Sequence, residues 1–208
     1  MKDLMIDDAA ALALAPPAVR QTDIAIIGGG ASGIILAAEL LAGSRRHVTV
    51  IEPRPRLGCG LAYSTPRPEH LLNTRVAQMS ARPGDPEHFA RWLDRRAPSD
   101  RAGFVGRAVY GDYLSRLLDP WRGRPDRLGC LGAEVLSVEE GVGGVCLRLD
   151  TGETLLAGRA VIATGHLRPA AEAALDDPWG GAGHPDPRAS VVLLGTGLTM
   201  VDQALTLL

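Results

Sequence analysis

Gly28, Gly30 and Gly33, with Glu52 further on, are the residues whose types and spacing could do chemistry in this 208-residue sequence. The spacing is G-x-G-x-x-G, and the chemistry is the holding of a pyrophosphate. Gly28 permits a tight turn out of a strand. Gly30 has no side chain to block a phosphate, and Gly33 lets a helix pack closely on the strand. Ala31 and Ser32 complete a small-residue turn at a helix N-terminus, where free N–H groups and the helix dipole favour negative charge. Glu52 stands 24 positions after Gly28 and can accept hydrogen bonds from a ribose diol. Without a ligand the same glycines would be an ordinary turn. The strand before them, the helix after them and the spaced acid together favour a dinucleotide.

The elements that must position these residues form a βαβ unit. The apolar run Ile24–Ile27 reads as a strand, Ser32–Ala42 as a helix stopped by Gly43, and Val48–Ile51 as a second strand ending in Glu52. Residues 53–69 are rich in proline, glycine and arginine and read as loop, and 70–86 is irregular. A helix is predicted over Pro86–Leu93, with Asp85 as N-cap and Pro86 at its first position. Another is predicted over Tyr110–Leu118, closed by Asp119-Pro120. Ala133–Glu139 and Val145–Leu149 alternate apolar and polar residues, Thr154–Leu156 adds a short strand, and glycine turns separate them. This is an antiparallel meander. It runs into a further strand over Arg159–Gly165 that ends in a small-residue turn. Residues 169–189 form a proline, glycine and aspartate linker. Ser190–Leu194 reads as another strand, Gly195–Gly197 as a glycine turn, and the residues after it as a helix with Leu198, Val201, Leu205 and Leu208 on one face. A lone strand and helix cannot build a parallel sheet. Either the chain is truncated or this last segment docks on the first domain.

Composition narrows the function classes. With 46% hydrophobic and 22% charged residues the chain is ordinary for a globular protein. A net charge of −2 gives no case for a nucleic-acid or acidic-membrane partner, and 4% aromatic residues give none for a single-strand stacking platform. Cys59, Cys130 and Cys146 have no metal-type or C-x-x-C spacing, which suits a reducing cytoplasm. Residues 1–20 read as a mobile leader rather than a signal peptide, since Asp3, Asp7 and Asp8 occupy the place of a basic region. No apolar run approaches membrane-spanning length.

The order of the parts resembles the flavoproteins with two dinucleotide-binding domains. In that class a G-x-G-x-x-G unit binds FAD, a β-meander crosses over, and a strand ending in Ala-Thr-Gly closes the domain. A second glycine motif then begins the NAD(P)H domain. Gly28–Gly33, residues 133–156, Ala163-Thr164-Gly165 and Gly195–Gly197 occupy those places here. The segments GCGLAYST, HLLNTRVAQMSARPGDPEHFARWL and YGDYL are similar to those of FAD/NAD(P)-binding proteins distantly related to flavin monooxygenases and N-hydroxylases. The resemblance implies an α/β fold: a Rossmann-like FAD-binding three-layer ββα domain over 21–168, with a loop and helical insertion at 59–125. The first βα of a second Rossmann unit would follow at 190–208. It implies FAD as cofactor, with NAD(P)H as the second candidate at Gly195 and Gly197. Two departures stand out: Met200 replaces the third glycine or alanine of the second motif, and Cys59 lacks the partner cysteine of a disulfide reductase.

Several residues gain expected roles. Pro53 and Arg54 follow Glu52, and Arg54 is placed over the adenine or on a phosphate. Gly58 and Gly60 bracket Cys59 in a loop that returns toward the pyrophosphate, with Cys59 read as a small packed thiol. His70, Asn73, Gln78, Met79 and Ser80 lie in the segment expected near the isoalloxazine ring, where amides can tune the flavin; His70 is read as a loop cap. Ala163, Thr164 and Gly165 let backbone pass close to the cofactor. The resemblance implies that Val135 offers backbone N–H and C=O to adenine. Trp92, Trp121 and Trp179 are read as core or interface.

The expected function is that of an FAD-dependent oxidoreductase taking hydride from NAD(P)H, monooxygenase- or hydroxylase-like. No side chain stands out as its general acid or base. The alternatives are an incomplete, non-catalytic FAD-binding module and, more weakly, a simple NAD dehydrogenase. Partners would be a small-molecule substrate and, for a homo-oligomer, a second copy; the substrate is not legible.

Overall fold

The computed structural model describes residues 19–96, 101–165, 186 and 188–207. Most of the expected leader, most of the linker, Trp179 and Leu208 lie outside the described residues. The elements, in order, are β1 (Val19–Ile27), α1 (Ala31–Gly43), β2 (Val48–Ile51), α2 (His88–Asp94), α3 (Arg107–Ser115), β3 (Leu128–Leu131), β4 (Val135–Gly141), β5 (Gly144–Leu149), β6 (Thr154–Ile162) and α4 (Leu198–Leu207).

The six strands form one sheet in the order β3-β2-β1-β6-β5-β4. β3, β2, β1 and β6 run parallel, and β5 and β4 add the antiparallel meander. Side chains of β1 alternate between two cores, as the period of two requires. Ile24 and Ile26 pack with α1 and the helical insertion, beside Ile34, Phe89 and Tyr113. Ala25 and Ile27 pack with Ile51 and with Leu147, Leu149 and Leu155 of the meander. Helices, parallel sheet and meander are therefore three layers, and the apolar run in β1 is continuous because both of its faces are covered.

Several element boundaries differ from expectation. β1 begins at Val19, so Val19 and Arg20 belong to the sheet and not to a leader. They pair with Thr154 and Leu155, contacts distant in sequence and invisible to local pattern. The third meander strand and the strand leading to Ala163 are one continuous β6, antiparallel to β5 and parallel to β1. Gly158 spans the join, where a Cβ would lie 3.0 Å from the Asp23 carbonyl. β3 has only four residues, too few for a periodic signal, and it forms by pairing with β2.

α2 starts at His88, with Glu87 as an N-cap that makes no side-chain cap. The Asp85 carboxylate instead pairs with Arg91. α3 starts at Arg107, earlier than expected, because Gly106 accepts its first amides from Val109 and Tyr110. The chain from 190 to 197 is not a strand and joins neither edge of the sheet. α4 does form, yet its Leu198, Val201 and Leu205 are exposed. The buried residue of α4 is Asp202, 2.7 Å from the Arg107 guanidinium. Thr206 lies 3.0 Å from His70 Nε2. Polar pairs, not the apolar stripe, tie α4 to the first domain.

Candidate dinucleotide site

The glycine turn sits where β1 ends and α1 begins. Gly28 has φ +109°, and its amide donates to the Ile51 carbonyl at 2.8 Å. A Cβ on Gly28 would lie 2.3 Å from the Ala163 carbonyl oxygen, so only glycine fits. Ala163 in turn donates to the Ile27 carbonyl at 2.8 Å. Two segments more than 130 residues apart thus meet at one strand end. A Cβ on Gly33 would lie 1.9 Å from the Gly28 carbonyl oxygen, which is the close helix-on-strand packing expected of the third glycine.

Gly30 is different. A Cβ there would meet only Gly60, at 3.5 Å from its Cα. The loop carrying Gly58 and Gly60 lies across the turn, with the Gly58 amide donating to the Gly29 carbonyl at 2.7 Å. The first intrahelical bond of α1 runs from Ile34 to Gly30. The amides of Ala31, Ser32 and Gly33 precede it. No side chain caps them and the first turn holds no acid. This leaves the positive end of a 13-residue helix open to an anion.

Glu52 closes the other side. It is 3% exposed, and each carboxylate oxygen accepts two hydrogen bonds. Oε2 takes the Gly29 amide at 2.8 Å and Arg54 Nη2 at 3.0 Å, while Oε1 takes Arg54 Nε at 2.7 Å and the Arg54 amide at 3.1 Å. Burial opposes the charge, but the bonds from Arg54 and Gly29 outweigh it and hold the carboxyl below the usual range. All four lone-pair positions are filled. A ribose hydroxyl can join Glu52 only if Arg54 moves, and the Arg54 side chain is half exposed.

The fold thus brings Gly28, Gly30, Ala31, Ser32, Gly33, Glu52, Arg54, Gly60, Ala163 and Thr164 to one end of the parallel strands. Gly165 follows them, exposed, and Pro53 is exposed beside Arg54. Asn73 and Gln78 stand exposed on the insertion, in a stretch whose neighbours Leu72, Val76 and Ala77 donate to Val105, Gly103 and Arg101. Val135 packs against the meander core. Gly195 and Gly197 are exposed on the segment before α4.

His70 is buried between Thr65, 2.8 Å from Nδ1, and Thr206, in keeping with a structural cap. Cys59 is 2% exposed and burial pushes its thiol up, as a packed thiol requires. Trp92 is buried and Trp121 packs against the same core. Sequence reasoning passed over Gly29. A Cβ there would lie 2.7 Å from the Glu52 Cβ, and its amide is a Glu52 ligand. The signal was present in the middle glycine of the run Gly28-Gly29-Gly30.

This geometry fits what the chain is similar to. The family described as FAD-NAD(P)-binding matches residues 25–167. The chain belongs to the FAD-NAD(P)-binding family. Its matched stretch runs from β1 through Ala163, Thr164 and Gly165, so it covers both halves of the site.

The chain is also 41% identical over 66 residues to tryptophan 2-monooxygenase of Pantoea agglomerans pv. gypsophilae, covering 32% of this chain and 12% of that protein. Among solved structures, steroid monooxygenase bound to NADP superposes with a TM-score of 0.57 at 22% identity, over 75% of this chain and 28% of that one. Flavin-containing monooxygenase from Stenotrophomonas maltophilia gives 0.53 at 22% identity, over 70% and 38%. At that identity the structures show a shared fold, the Rossmann-like α/β fold of flavin monooxygenases. The chain spans well under half the length of these relatives. Among the described residues no helix is long and apolar enough to cross a membrane, and no cluster of histidine, cysteine and acids could hold a metal.

Proposed function

We propose that this member of the FAD-NAD(P)-binding family holds FAD at the Gly28–Gly33 turn and serves an NAD(P)H-dependent oxidoreductase reaction of the flavin monooxygenase kind. The observation that carries this reading is the uncapped, acid-free N-terminus of α1, set between the buried Glu52 and the Ala163–Thr164 backbone. Amides of Ala31, Ser32 and Gly33 would bind the pyrophosphate. Glu52 would accept the adenosine ribose once Arg54 swings out, and Arg54 would then lie free for the adenine or a phosphate. Thr164 and Gly165 would let backbone run beside the cofactor, and Val135 would face the adenine end. FAD, when bound, supplies hydride acceptance and reaction with oxygen; the protein supplies orientation and exclusion of water.

Gly195 and Gly197 are the candidate contacts for NAD(P)H. The segment before them makes no strand, and the second reading is a module that binds FAD but does not by itself take hydride. Absorbance separates the readings. Purified protein that carries or takes up FAD supports the site, and colourless protein that takes up none overturns it. Anaerobic NADPH should then bleach the bound flavin. A flavin that stays oxidised would support the binding module and sink the oxidoreductase. A small-molecule substrate and a homo-oligomeric state belong to the same proposal, and gel filtration tests the latter.

A further inference from the structure

A second cationic cleft lies on the helical insertion, away from the glycine turn. It has a volume of about 530 Å³ and is lined by Arg82, Arg95, Arg96 and Arg116 around His88 and Trp92. Arg82 is bound to Glu39 at 3.0 Å. Glu39 lies six to eight residues beyond the phosphate-facing amides of Ala31, Ser32 and Gly33, so this anchor is about 9–12 Å from them along α1.

The arginines outnumber their carboxylates. Asp112 is shared between Arg56 and Arg96, and Asp119 between Arg116 and Arg122. Arg95 has no ion pair among the described residues. The cleft, of dimensions typical for a small-molecule site, thus carries four guanidiniums against three partner carboxylates, of which Asp119 lines it, and the surplus positive charge favours an anion.

The uncharged part of the wall is suited to the same ligand. Arg96 stacks on Trp92 with its guanidinium carbon 3.9 Å from the ring centroid. Stacking fixes the plane of the guanidinium and leaves its N–H edge directed sideways, the geometry of oxyanion recognition. The Tyr113 hydroxyl accepts the Ala81 amide at 3.1 Å and lies 2.7 Å from His88 Nδ1. If the tyrosine donates its proton to that nitrogen, a neutral ring keeps Nε2–H as a donor. Burial and the neighbouring arginines both hold His88 below its ordinary value, in keeping with a neutral ring in a positive setting.

We infer that this cleft binds a small molecule carrying a phosphate group, held by Arg95, Arg96 and Arg116 with His88 as a neutral donor. The inference uses no residue of the dinucleotide site and stands without it.

The test titrates inorganic phosphate and, separately, phenyl phosphate into the full chain, followed by NMR of the Trp92 indole and the His88 ring. Saturable shifts at both residues are expected, with phenyl phosphate the tighter probe because the cleft has room for a ring. Arg95→Ala and Arg116→Ala should each weaken binding about tenfold. Arg95→Lys should keep most of it, and Gly30→Glu should leave it unchanged. Three results would overturn the assignment: no saturation at millimolar phosphate, binding indifferent to the arginine variants, or loss of binding in Gly30→Glu. The last would place the anion at the glycine turn instead.

Discussion

Arg54 and Glu52 form a two-pronged ion pair in which the acid is buried and the base is half exposed, with Nε–Oε1 at 2.7 Å and Nη2–Oε2 at 3.0 Å. The Gly29 amide holds the acid from behind. The acid is therefore fixed and the base is the movable partner. In this arrangement Arg54 occupies the place proposed for the ribose.

Glu52→Gln should weaken FAD binding about tenfold or more, read by flavin fluorescence. It should also lower stability by about 1–2 kcal/mol, a modest figure because water screens the exposed Arg54. The pH dependence has a defined sign. The folded carboxyl titrates below its ordinary 4.5, so its stabilising share is complete above pH 4.5 and is lost as pH falls through the folded value. Urea midpoints between pH 3 and 7 should drop less steeply in the variant than in the parent protein. An identical slope would show that Glu52 carries none of the acid sensitivity.

The three glycines should separate by function. Gly33→Ala places a methyl 1.9 Å from the Gly28 carbonyl oxygen and should cost about 1–3 kcal/mol through forced displacement of the helix. Gly30→Ala meets only Gly60, at ordinary contact distance, and should keep its thermal midpoint while losing FAD affinity. Equal losses of stability in the two variants would contradict the assignment of a packing role to one and a ligand role to the other.

The thiols should react in a fixed order. Cys130 is exposed and Cys59 is 2% exposed; burial opposes the ionisation of both thiols, so access sets the order. A chromogenic disulfide reagent at pH 8 should label Cys130 promptly and Cys59 only on unfolding. Prompt labelling of Cys59, followed by mass spectrometry, would reopen a nucleophilic role.

α4 should be separable from the body of the domain. Asp202 meets Arg107 at 2.7 Å as a charge contact rather than an aligned hydrogen bond, and both side chains are largely buried. Asp202→Ala leaves the guanidinium without that partner and should speed hydrogen exchange throughout Leu198–Leu207. Exchange in β1 and β2 should stay unchanged. Unaltered exchange in α4 would mean that other contacts hold it.

The sequence by itself determined the local motifs. Gly28, Gly30 and Gly33 in their spacing, the apolar strands at both sides and the acid at 52 specify a strand, turn, helix and strand, because each choice is made by near neighbours. The meander over 135–149 and the small residues at 163–165 were legible for the same reason. Tertiary structure alone decided what pairs across long distances. It merged two expected strands into β6, recruited the four residues of β3, and added Val19–Thr22 to the sheet, since strand pairing over such separations leaves no local trace. It also decided that Ser190–Leu194, apolar as it is, makes no strand without a neighbour to bond. It turned Arg54 onto Glu52, because a buried carboxylate needs partners and the guanidinium two residues away reaches it first. The glycine turn was readable from composition and spacing; the state of the acid facing it was a matter of burial.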